Sequence, residues 1–162
     1  MAEGFTRVYC GLGKGKTTVA LGYGVTEAGR GKSVVIIQFL KNRNEEEIEF
    51  LRRLEPEVKL FRFEKSTEGF ESLDEETKRE EILNIKNGLN FARKVLSTEG
   101  ADILILDEVL GLIDQKVIEA SELQELLKVK SENTQLILTG IKMSPEIEGL
   151  VDDIISIDIL KE

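Results

Sequence analysis

Residues 10–18 read CGLGKGKTT, so three glycines, two lysines and two threonines crowd into nine positions. That mixture suits a phosphate. Glycines let the backbone turn its N–H groups onto an anion, a lysine reaches the terminal phosphates, and a threonine hydroxyl ligates Mg²⁺. The run follows FTRVYC (5–10), which alternates and is β-rich, and it opens a small-residue helix expected over about 16–28. Strand, glycine turn and helix together are the context that a phosphate-binding P-loop requires. The usual spacing, G-x-x-x-x-G-K-[ST], would place its first glycine at Cys10, so the cradle rests on Gly11, Gly13 and Gly15. Gly11, Leu12, Gly13, Lys14 and Gly15 are therefore expected to wrap the phosphates, with Lys16, Thr17 and Thr18 at the helix start. Lys16 is the expected catalytic cation and Thr17 the expected metal ligand. Cys10 reads as a small buried residue rather than a nucleophile.

A second element supports the first. ADILILDEV (101–109) is an apolar strand ending in two acids, the form of a Walker B segment. Its aspartate, Asp107, would hold Mg²⁺ directly or through water. Glu108 has three readings: it polarises a water, organises a ligand, or faces solvent. Histidine is absent, which removes the commonest general base and the commonest metal ligand together.

The rest of the chain must position these groups. Its 162 residues, 41% hydrophobic and 33% charged, suit a single nucleotide-binding domain over 1–162. A net charge of -9 argues against nucleic acid as a partner, since backbone phosphates need a basic face. A nucleotide needs only a local cluster, which Lys14, Lys16, Lys32 and Lys41 supply near the loop in sequence. One cysteine and no secretory leader pattern fit the cytoplasm, and no apolar run reaches membrane-spanning length.

Strand and helix alternate along the whole chain. SVVIIQFL (33–40) is a doubly covered strand, a charged helix is expected over 44–54, and VKLFRF (58–63) is a short strand. The segment 64–74 is polar and reads as a mobile active-site loop. Ser72 and Glu75 form a capping box for a long helix whose stripe is Ile82, Ile85, Leu89, Ala92 and Leu96. Ser121 and Gln124 cap a leucine-rich helix, TQLILTG (134–140) is a strand, Ser144-Pro145 opens a short helix, and DIISIDIL (153–160) closes the sheet. The expected fold is α/β, a mostly parallel sheet with helices on both faces, of the RecA-like P-loop type. In such sheets ligands sit at the carboxyl ends of the strands, where Gln38–Lys41, Asp107-Glu108 and Thr139-Gly140 all fall.

The loop GLGKGKTTVALGYG resembles the GNGKGKTTAAFGxA loop of the ATP:corrinoid adenosyltransferases. The likeness continues in order through GRGKSVVIIQFLK, ADILILDEV and LILTG, nearly end to end. The loop and the QF-K element together are fairly specific; the Asp-Glu pair alone is not. The resemblance implies that ATP and a reduced corrinoid are substrates, with Mg²⁺ as cofactor. Co(I) attacks C5′ of ATP, the adenosyl group is transferred, and tripolyphosphate leaves. It also implies a role for Lys41 in ligand binding, a reductase supplying Co(I), and a homodimer. A Gly-Phe-x-Trp element of the family corresponds to Gly69-Phe70-Glu71-Ser72, which makes Phe70 either an aromatic that displaces the lower cobalt ligand or a loop residue tucked onto the core. Departures from the pattern are Leu12 for asparagine, Thr26 and Ile141 for arginines, Ser72 for tryptophan, and Ser156 or Ile157 for a late glutamate; the family's Gly-Ile-Glu-Tyr-like tail is expected to have no counterpart within residues 1–162. They mark a divergent member. A P-loop ATPase, or a nucleotide- or corrinoid-binding paralogue without transferase activity, stand as alternatives.

Overall fold

The computed structural model describes residues 3–12, 15–40, 49 and 51–162. Among them, β1 (Phe5–Cys10), β2 (Val34–Gln38), β3 (Val58–Phe61), β4 (Ile103–Asp107), β5 (Gln135–Gly140) and β6 (Asp153–Ser156) form one sheet. Their order is β3-β2-β4-β5-β1-β6 and every pairing is parallel. Among the described residues, the helices with defined bounds are α1 (Lys16–Ala28), α2 (Glu75–Ser97), α3 (Val109–Asp114), α4 (Ala120–Val129) and α5 (Pro145–Glu148), and a 3-10 turn spans Phe70–Ser72.

Parallel pairing follows from double burial. Every residue of β2 and β4 is buried, as continuous β-branched and leucine runs require. Successive side chains then feed two separate cores. Ile103 and Ile105, with Ile36 and Ile137, pack beneath Ala20 and Tyr23 of α1. Leu104 and Leu106, with Ile37 and Leu138, pack against Ile85 and Leu96 of α2 and Leu123 of α4. Each such side chain contributes about 1.5–3 kcal/mol relative to exposure. The sheet is packed on both faces.

Several boundaries differ from the sequence reading. Asp74, not Ser72, caps α2 and accepts the Thr77 N–H at 2.8 Å. The Ser72 hydroxyl instead closes the preceding 3-10 turn on the Gly69 carbonyl at 2.8 Å. Helix α4 begins earlier than Ser121 and Gln124 indicate: Glu119 is its cap, and its N–H donates to the Glu122 carboxylate at 2.8 Å. The last strand stops at Ser156; Ile157 still donates to the Cys10 carbonyl at 2.8 Å, but Ile159 and Leu160 are exposed. The helix expected over 44–54 falls largely outside the described residues. No helix among the described residues is long and apolar enough to cross a membrane.

Candidate active site

Register gathers the polar strand ends into one row. Gln38 pairs with Asp107 across β2 and β4, and Cys10 pairs with Gly140 on one side and Ser156 on the other. The phosphate loop leaves this row at Gly11, whose N–H donates to the Ile141 carbonyl at 3.1 Å. A Cβ there would stand 2.2 Å from the Ile157 carbonyl oxygen, so only glycine lets the loop pass. Gly15 starts α1 from a left-handed backbone, φ +113°, that side chains rarely adopt. The first turn of α1 holds no acidic residue and no side-chain cap, which leaves the positive end of its dipole for an anion.

Asp107 is the hub. It is fully buried, and its Oδ1 accepts the Thr17 hydroxyl at 2.9 Å and the Thr139 hydroxyl at 2.7 Å. Its Oδ2 accepts Nε2 of buried Gln38 at 3.2 Å. Three donors converge on this one side chain. Thr139 in turn accepts the Glu108 N–H at 2.8 Å, which fixes its hydroxyl proton toward Asp107. Glu108 sits at the strand-to-helix turn with φ +63° and meets Lys16, Nζ to Oε1, at 3.1 Å. Gly140 is needed for the close passage of α3: a Cβ would lie 2.3 Å from Cβ of Leu110.

The groups present fit Mg²⁺ brought in with a nucleotide. Thr17 and Asp107 are hard oxygen donors already in contact. Among the described residues no cluster of three or more His, Cys, Asp and Glu forms a self-sufficient cage. A small protein ligand set completed by phosphate oxygens and water is what Mg²⁺ prefers.

The other expected residues are spread more widely. Gly13, Lys14 and Lys41 lie outside the described residues. Leu12 is 89% exposed and borders a cleft of about 290 Å³ with Ile157, Asp158, Ile159 and Glu162. Thr18 is exposed at the start of α1. Phe70 is half-buried on the edge of the core, with the Lys78 ammonium 5.7 Å from its ring centre. Lys32 does not join the loop: it lies before β2, at the opposite edge of the sheet, and pairs with Glu3 at 2.9 Å. Thr26 is exposed on α1 and Ile141 is exposed after β5. Cys10 is half-buried rather than buried, and desolvation first, then the Asp158 carboxylate, push its thiol pKa up, which disfavours the thiolate.

Arg62 was not singled out by the sequence, yet its Nε donates to Oε1 of Gln38 at 2.7 Å. Gln38 and Thr139 each interrupt an apolar strand and bond Asp107 directly; Arg62 lies just past the end of β3, in a segment already broken by Lys59, so no local signal marked it.

A sequence model of the family described as ATP:corrinoid adenosyltransferase BtuR/CobO/CobP matches residues 2–162. The corrinoid adenosyltransferase of Escherichia coli strain K12 is 27% identical over 154 residues, covering 94% of this chain and 75% of that protein. The corrinoid adenosyltransferase CobA of Salmonella typhimurium is 25% identical over the same shares of the two chains, 94% and 75%. Among solved structures, a KaiC-like protein of Pyrococcus horikoshii superposes with a TM-score of 0.64 at 18% identity, covering 97% of this chain and 73% of that one. That last likeness is one of fold, the α/β P-loop architecture.

Proposed function

Because the chain belongs to the ATP:corrinoid adenosyltransferase family, we propose that it transfers the 5′-deoxyadenosyl group of ATP to the Co(I) of a reduced corrinoid and releases tripolyphosphate. One observation carries the reading at the level of residues. The Thr17 hydroxyl and the buried Asp107 carboxylate meet at 2.9 Å at the mouth of the phosphate loop, beside Lys16.

The chemistry asks little acid–base work of the protein. The cobalt electron pair forms the Co–C5′ bond, and the C5′–O5′ bond breaks with its electrons leaving on tripolyphosphate. Cobalt passes formally from Co(I) to Co(III), and no proton moves. A chain without histidine can therefore do this. Its task is to hold the triphosphate and steady the charge that collects on the leaving oxygen. Lys16 and the N–H groups at the start of α1 are the groups proposed to meet that charge, with Gly11, Leu12 and Gly15 of the loop beside them. Thr17 and Asp107 are the residues that would hold Mg²⁺, which when bound supplies Lewis-acid neutralisation of the phosphates. Glu108 acts here by organising Lys16 rather than by activating water. Phe70 and the 64–74 segment are the parts proposed to meet the corrin, and a reductase is the partner that the Co(I) state calls for.

The test is product identity. With ATP, Mg²⁺ and chemically reduced cobalamin under anaerobic conditions, ³¹P NMR should show tripolyphosphate as the inorganic product. ADP with phosphate would make the chain an ATPase, and bound but unconsumed ATP would make it a binding paralogue.

A further inference from the structure

The backbone ladder between β2 and β3 ends at the Ile37–Phe61 pair. Beyond that pair the two chains remain joined through side chains. Arg62 Nε donates to Gln38 Oε1 at 2.7 Å, and two residues on the Leu40 N–H donates to the Glu64 carboxyl at 2.8 Å. Gln38 is 2% exposed and donates Nε2 onward to Asp107.

The orientation of the Gln38 amide decides what Asp107 feels. An amide offers a donor at one end and an acceptor at the other, and a flipped amide would set its oxygen against the carboxylate. In a buried site no water compensates for that mismatch. A guanidinium carries donors alone, so it accepts one orientation of its neighbour: Oε1 toward Arg62, Nε2 toward Asp107. We propose that Arg62 is a positioning residue for Asp107, acting through Gln38, and that it fixes the carboxylate so that Oδ1 is presented on the Thr17 side. The proposal rests on the reading of Thr17 and Asp107 as the metal-holding pair. It gives the Gln38 position a purpose that the phosphate loop alone does not supply, and it makes the exit of β3 part of the nucleotide site.

Mn²⁺ is the probe, titrated by EPR into protein with saturating ATP and no corrinoid. Arg62→Met keeps the aliphatic stem and removes the donors, and is expected to weaken Mn²⁺ binding about tenfold, the low end for loss of an outer-shell partner. ATP affinity measured without metal should stay unchanged, a split that general loosening of the fold would not produce. Gln38→Leu should weaken Mn²⁺ similarly, and the double variant should lose no more than the larger single loss, because both act along one path. Arg62→Lys, which keeps a donor-only cation, should fall between wild type and Arg62→Met and carries the same measurement if the methionine variant does not fold. Wild-type Mn²⁺ affinity in the Arg62 variants, or losses that multiply in the double variant, would overturn the positioning role. If wild type itself takes up no Mn²⁺ with ATP, the metal-pair reading fails and the proposal falls with it.

Discussion

Replacing Glu108 by glutamine measures what the Lys16–Glu108 pair does before nucleotide arrives. Nζ and Oε1 stand 3.1 Å apart, with side chains 12% and 14% exposed. At an effective dielectric of about 20 the gross attraction at that distance is about 5 kcal/mol. Desolvation of both ions offsets most of it, leaving about 1–2 kcal/mol net. A triphosphate that takes Lys16 has to displace this carboxylate and then sit beside its negative charge. Glu108→Gln keeps the shape and an oxygen for Nζ while removing the charge. ATP should therefore bind about 5- to 30-fold more tightly, the ratio that one to two kcal/mol sets. Isothermal titration with Mg²⁺ and ATP, without corrinoid, reads this directly. The unliganded variant should unfold at a lower temperature than wild type, because Lys16 loses its counter-charge. Unchanged or weaker ATP affinity would refute the competition between carboxylate and phosphate.

Gly140→Ala places a methyl 2.3 Å from Cβ of Leu110, where neither backbone can yield cheaply; overpacking of about 1–3 kcal/mol should lower the calorimetric Tm by several degrees. Glu64 is pushed up from 4.5 to about 7, first by burial and then by the Glu81 carboxylate, with the Leu40 N–H acting in the opposite direction. The folded state therefore holds the proton more tightly than the unfolded one. Stability should fall as pH rises from about 4.5 to about 7, by on the order of 3 kcal/mol from this group. Glu64→Gln should remove that component, so urea unfolding at pH 5.5 and 8 should show the variant gaining on wild type at the higher pH. Phe70→Ala should slow transfer to cobalamin more than to a corrinoid lacking a strong lower ligand; equal slowing of the two would reduce Phe70 to packing.

The fold was legible where burial is complete. SVVIIQFL and ADILILDEV have no exposed face to alternate against, so their composition alone marked them as central parallel strands, and the structure buries every residue of β2 and β4. Ends were harder, because capping depends on which of several nearby acids and hydroxyls reaches an N–H: Asp74 outcompeted Ser72, and Glu119 stood in for Ser121. Helix α3 was missed since VLGLID is a short apolar run continuous with β4, and the left-handed turn at Glu108 that separates them is carried by a residue without a turn signature. DIISIDIL looked like a full strand, yet β6 is exposed at every position and the chain leaves the sheet at Ser156. At the site, Lys16, Thr17, Asp107 and Glu108 were visible as motif residues, and the structure brings these four together. Arg62 was not visible, because its contribution runs through the Gln38 amide, a contact between strand ends that no local pattern encodes.

The most direct measurement is the stoichiometry of a single anaerobic turnover. Enzyme in excess over chemically reduced cobalamin, mixed with ATP and Mg²⁺, should lose the Co(I) absorbance with one tripolyphosphate released per cobalt consumed. Lys16→Ala should do neither. Loss of Co(I) signal without matching tripolyphosphate, or ADP and phosphate formed in its place, would contradict adenosyl transfer at this site.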